Sequence, residues 1–199
     1  MTNRPDRQYR PILAADVARL AREAGHGDPY ARLELAHATA AVLVGAGRGD
    51  NAPPTEQLVN LAETVGLDTL SELWRDAGPE TLPGVLWALY LLRTWCERQG
   101  DAVARFYRAG RALAPVDEVV AGVHDDADPP AMRRLADAVL AGAYDGDFAV
   151  ALERAAAFFR VVALGRDELA DDEALAARNR TTAGALERAA GAWRDGSLL

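Results

Sequence analysis

Two histidines in this chain stand three residues after a glutamate, and that spacing is the first to suggest chemistry. Glu34 with His37 and Glu23 with His26 are E-x-x-H pairs. On a helix the two side chains share a face, and such a unit supplies ligands to dinuclear metal centres in four-helix bundles. A centre of that kind needs pairs on two separate long helices and carboxylates from two others. His26 follows Gly25 in an expected turn close upstream of His37, which is the wrong place for a second pair. A hydrogen-bonded histidine on an apolar stripe is the plainer account of His37.

His124-Asp125 resembles the dipeptide of the HD phosphohydrolases, all-helical enzymes that hold a divalent metal. The resemblance implies a metal-dependent hydrolase with His124 and Asp125 among its ligands, although in those enzymes the pair lies inside an apolar helix and here it lies in a loop. The plain alternative is that Asp125, Asp126 and Asp128 favour the start of the helix after Pro129, by cap and dipole. The run DELADDE, 167 to 173, offers carboxylates one turn apart to a magnesium ion. It lacks D-D-x-x-D order and a matching second acidic helix, so an acid-rich first helical turn explains it as well.

Arg98, Arg105, Arg108 and Arg111, interleaved with Phe106 and Tyr107, are candidate partner-binding residues. Guanidinium forks among aromatic rings can grip phosphate or an acidic peptide, and a solvated face over buried aromatics gives the same pattern. The stretch AVLVGAGRGD, 41 to 50, has the glycines of a nucleotide loop but not the helix that must follow one, because DNAPP comes next. It reads as the last turn of a helix. No serine nucleophile with a nearby base, no C-x-x-C and no P-loop can be read, so neither a catalytic residue nor a cofactor is assigned.

The elements that must position these residues are helices. Apolar residues recur at helical spacing almost throughout, with no alternating pattern of strands. The expectation is an all-α fold of eight or nine helices over residues 1–199, a single-domain bundle or stack of antiparallel hairpins, with subdivision conceivable at the loops 45–54 or 123–130. A first helix covers about 12 to 24. The second is expected to turn Tyr30, Leu33, His37, Ala40 and Val44 inward. Leu58 to Val65 mark a third, and Thr69 with Glu72 a capping box for a fourth. The segment 82 to 99 is apolar on almost every side, as suits a central helix, and Trp87, Tyr90 and Trp95 on it are candidates for lining a small-ligand pocket. In the next helix Val103, Phe106, Tyr107, Gly110 and Leu113 are expected inward. Phe148, Leu152, Ala155, Phe159 and Val162 form the clearest amphipathic stripe, stopped at Gly165. The last helix, about 171 to 195, has a thin stripe of Leu175, Thr182, Leu186, Ala190 and Trp193, which suits a peripheral place or a homodimer contact.

Composition sets the outer limits. With 199 residues, 50% hydrophobic and 26% charged, the chain is globular in kind and long enough to bury roughly 70% of its unfolded surface. A net charge of −8 disfavours nucleic acid and anionic membranes. All 22 basic residues are arginine, which fits codon usage in a GC-rich bacterial genome. The opening MTNRPDRQYR has no apolar leader and no run is long enough to span a membrane, so a cytoplasmic place is expected. The single Cys96 reads as a small buried hydrophobe.

Gly-Asp pairs recur at 27, 100 and 146, a glycine leaving one helix and an aspartate capping the next. Around Gly100-Asp101 and Gly146-Asp147 the chain resembles tetratricopeptide hairpins: Gly146, Asp147, Phe148, Ala151 and Leu152 stand where that pattern has glycine, acidic, aromatic, small and apolar residues, and Leu92, Ala112 and Leu113 fit around the other junction. The resemblance covers less than half the chain, departs from the family's repeat of about 34 residues, and has Arg93 or Val139 where a small residue belongs. It implies a peptide-binding scaffold. The function expected is therefore a non-catalytic protein-interaction or scaffold module with a protein partner, or with a second copy through the last helix. The alternative is a metal-dependent all-helical hydrolase or other metal-binding helical protein drawing on Glu34, His37, His124 and Asp125.

Overall fold

Helices are the only regular elements among the described residues of the computed structural model, which are 17, 19, 29–48, 55–122 and 127–198. In chain order they are α1 (Pro29–Arg48), α2 (Thr55–Val59), α3 (Leu61–Val65), α4 (Leu67–Trp74), α5 (Leu82–Arg98), α6 (Gly100–Arg111), α7 (Pro115–Ala121), α8 (Pro129–Asp145), α9 (Phe148–Glu168) and α10 (Glu173–Arg194). Eight have seven residues or more. The count exceeds the expected eight or nine because the expected third helix breaks at Asn60 into α2 and α3. Residues 41 to 44 lie within α1, so no strand feeds the glycines that follow. The expected helix at 12 to 24 falls outside the described residues, apart from Val17, which is buried in the core, and Arg19.

Short-range chemistry starts these helices. Before α5, the Thr81 side chain accepts from the Gly84 N–H at 3.3 Å and donates to the Gly78 carbonyl at 2.8 Å, and Pro83 fits the first turn. Asp128 accepts from the Ala131 N–H at 2.7 Å to begin α8, and Asp147 and Asp172 do the same for α9 and α10. Two expected caps are absent. Thr69 and Glu72 form no capping box, because α4 already starts at Leu67 after the left-handed Gly66 and the Thr69 hydroxyl donates back to Val65. At the 100–101 junction Gln99 makes the corner and Asp101 lies inside the first turn of α6.

The centre of the molecule is α9 rather than the expected segment 82 to 99. It packs against α5, α6, α7, α8 and α10, and from Phe148 to Arg166 every position is buried except Val150, which is exposed, and Glu153, Arg154, Arg160 and Leu164, which are half-buried. It also continues past Gly165, which is no stop signal: a Cβ there would lie 1.7 Å from the Phe106 carbonyl oxygen, and one on Gly110 would lie 1.9 Å from that of Val161. The pair lets the backbones of α6 and α9 touch.

Three expected faces turn out otherwise. On α1, Tyr30 and Leu33 are exposed, and burial begins at Ala36 and continues through Thr39, Ala40, Leu43 and Val44. Leu113 is exposed, because α6 ends at Arg111 and the chain turns away. Of the expected α10 stripe only Leu186 and Ala190 are buried, Thr182 and Trp193 are half-buried and Leu175 is exposed. The face that α10 lays on α9 is made instead by Ala176, Ala183, Leu186, Ala189 and Ala190, where small side chains allow close approach. Trp193 meets Phe148 at 4.6 Å between ring centroids, and Arg194 pairs with Glu153 at 2.5 Å.

Candidate functional site

The outer face of α5 meets α10 only in part and lines a cleft beside it. Gly84, Trp87, Ala88, Leu91, Leu92 and Trp95 follow one another at helical spacing along it. Thr181, Thr182, Ala185 and Leu186 of α10 form the opposite wall, Phe159 of α9 the floor, and Arg75, Ala77 and Pro79 the rim. The cavity measures about 470 Å³. Its rim is set by Gly84, where a Cβ would fall 2.0 Å from the Gly78 carbonyl oxygen, so only glycine lets the 75–79 turn close down on α5.

The wall at Trp95 is held from behind. Its ring meets Phe158 edge-on at 6.4 Å, and its Nε1 donates to Gln99 at 3.3 Å. The guanidinium of Arg166 stacks 5.5 Å from the Trp95 ring and 4.1 Å from the Phe106 ring, while Asp171 pairs with it. A cation over two aromatic faces, with its charge balanced, fixes both rings. The cleft is therefore held in shape by the packing behind its wall.

The polar groups on its lining are few. Thr181 and Thr182 donate their hydroxyl protons to the carbonyls of Ala177 and Arg178 at 3.1 and 3.0 Å, which leaves only lone pairs to offer. Among the described residues Arg75 carries the sole formal charge on the lining, and the carboxylate nearest to it is that of Asp76, 4.0 Å from Nε.

The residues singled out in the sequence are placed differently. Trp87 and Trp95 line the cleft, but Tyr90 points into the core. There its hydroxyl lies 2.6 Å from the Leu58 carbonyl and 2.7 Å from the Tyr144 hydroxyl. Since a carbonyl only accepts, Tyr90 donates to Leu58 and Tyr144 donates to Tyr90. Glu34 is exposed and His37 half-buried. His124, Asp125, Glu23 and His26 lie outside the described residues. Among the described residues no three His, Cys, Asp or Glu side chains gather closely enough to hold a metal ion, and no helix is long and apolar enough to cross a membrane. In the acidic run, Asp171 and Asp167 pair with Arg166 and Arg180, and Asp172 caps α10.

The four arginines do not form one patch. Arg108 donates to the Ala127 carbonyl at 2.6 Å and Arg111 pairs with Glu118 at 3.3 Å, so both tie α6 to the segment that follows. Arg105 lies over the neighbouring Phe106 ring at 4.8 Å and is exposed, as is Arg98.

A polar node escaped the sequence reading. Arg93, buried in the interior, donates to Asp137 at 2.7 Å, Glu63 at 2.8 Å and Asn60 at 2.9 Å. Burial works against its charge, but the hydrogen bonds to Glu63 and Asp137 outweigh that and raise its pKa. The comparison of this chain with protein families, with curated proteins and with solved structures finds no match.

Proposed function

We propose that the protein is a non-catalytic helical binding module whose recognition site is the cleft between α5 and α10. The observation that carries this reading is the cavity of about 470 Å³ walled by Trp87, Leu91, Trp95 and Phe159. Protein interiors are otherwise close-packed, and cavities of about 300–1,000 Å³ with apolar walls and few polar groups are the usual form of small-ligand sites. The half-buried indoles of Trp87 and Trp95 turn part of their surface into the cleft, and that part gains dispersion contacts when a ligand covers it. The test is saturable binding of the neutral apolar dye N-phenyl-1-naphthylamine, followed by its fluorescence. One dye per chain is expected, and Ala88→Trp or Leu91→Trp, which fill the cleft, should abolish binding while the melting temperature holds. Undiminished binding in both variants would remove the cleft from the reading.

A second observation favours a protein partner, as expected of an interaction or scaffold module. The turn after α6 and the outer side of α7 expose Leu113 (53%), Val116 (74%), Val119 (70%) and Val120 (43%), a cluster of the kind that marks association surfaces. A second copy of this chain is the first occupant to test. Sedimentation equilibrium should show a dimer that the double variant Val116→Glu with Val119→Glu dissolves, and a wild-type protein monomeric at all concentrations would exclude that occupant. The tetratricopeptide resemblance supports a scaffold role only through sequence, and Arg98 and Arg105 remain its solvent-facing candidates.

A further inference from the structure

Resting on the reading of the cleft as a binding site, we infer that its ligand is a small amphiphile with an apolar or aromatic body and one carboxylate, whose charge is met by Arg75. The argument is one of complementarity along the lining. A cationic ligand would need a carboxylate, and no acidic side chain lines the cleft among the described residues. Glu80, next to the rim residue Pro79, is taken up by Arg188 at 2.8 Å. An anion needs a donor or a positive charge, and the two threonines have spent their protons on α10 carbonyls. What remains among the described lining residues is the Trp87 indole N–H, a neutral donor, and Arg75, which alone carries a charge. Its side chain is 61% exposed and meets Asp76 only at the outer limit of an ion pair, 4.0 Å, so its fork is open to a bidentate carboxylate. With a single guanidinium on the lining and a net charge of −8 on the chain, a second negative group on the ligand would go uncompensated. The class is therefore an apolar monocarboxylate, with the body against Trp87, Leu91 and Trp95 and the head at the 75–79 rim.

The experiment is displacement of bound N-phenyl-1-naphthylamine by decanoate and by decanol, in the wild type and in Arg75→Gln. Arg75 is exposed, so the variant keeps the fold. The decanoate-to-decanol affinity ratio should fall roughly three- to five-fold in the variant, the size of an exposed ion pair, and the wild-type ratio should fall likewise on adding salt, while decanol is unaffected by either change. An unchanged ratio with decanol still displacing the dye overturns the carboxylate assignment and leaves the cleft reading intact. If the dye does not bind at all, or leaves as the protein is concentrated because a second copy fills the cleft, the binding-site reading fails and this inference with it.

Discussion

Arg93 is a large charged side chain buried between helices, and the structure shows why it is tolerated there. Its guanidinium reaches three acceptors on three segments, Asn60, Glu63 and Asp137, and only a planar fork reaches them together. Arg93→Leu removes three charge-assisted hydrogen bonds and leaves two half-exposed carboxylates facing an apolar side chain. The expected loss of stability is roughly 2–3 kcal/mol in urea unfolding, and Arg93→Lys should recover less than half of it. None of this was legible locally, because the partners lie far apart along the chain and nothing near Arg93 distinguishes a bridging arginine from a solvated one. The cleft was half legible. At 3.6 residues per turn, Tyr90 and Trp95 are separated by roughly 140° around the helix, so one cleft cannot take both, but Trp87 lies roughly 60° from Tyr90 and roughly 80° from Trp95, so the spacing alone does not say which of them it joins.

Glycines show at the scale of elements what one dimension can and cannot carry. Gly165 reads as a helix end in the sequence because a terminal glycine and an interhelical glycine look alike until the partner helix is placed. Gly165→Ala would push a methyl into the Phe106 carbonyl, so α6 and α9 must separate, at a cost of about 1–3 kcal/mol or more. Gly191, in the same kind of helical setting on α10, has nothing within 4 Å of an added Cβ. Gly191→Ala should therefore stabilise by roughly 0.5–1 kcal/mol. Thermal unfolding of the two variants side by side checks both signs. The same contrast explains which features of the fold were readable. The all-helical class and most boundaries follow from local punctuation such as Asp128, Asp147 and Pro129, whose chemistry acts within three residues. Which face each helix buries was not fixed locally: α5 is apolar all round, and the pattern does not say that one side meets α1 and α8 while the other opens as a cleft. The amphipathic stripe of α9 likewise concealed that five helices surround it.

The whole molecule keeps its titratable core groups protonated, and this sets its stability against pH. Burial pushes the Cys96 thiol up to about 12, and it raises the phenols of Tyr90, Tyr107 and Tyr144 as well. In the unfolded chain these groups ionise near about 8.5 and about 10. A group whose folded pKa is raised contributes its full stability below the unfolded value and loses it as pH climbs toward the folded one. Each such group therefore removes roughly 1.4 kcal/mol per pH unit within its window. On the acid side, the hydrogen bond from Arg194 lowers the Glu153 carboxyl, so that pair between α9 and α10 holds above the ordinary carboxylate range and is lost below it. The urea midpoint should thus stay flat from about pH 6 to 8 and fall steeply from about pH 8.5 upward. Cys96→Ala should flatten the first part of that fall, between about pH 8.5 and 10, because only the thiol ionises there. An alkaline limb identical in the variant and the wild type would show that the thiol is not held protonated in the fold.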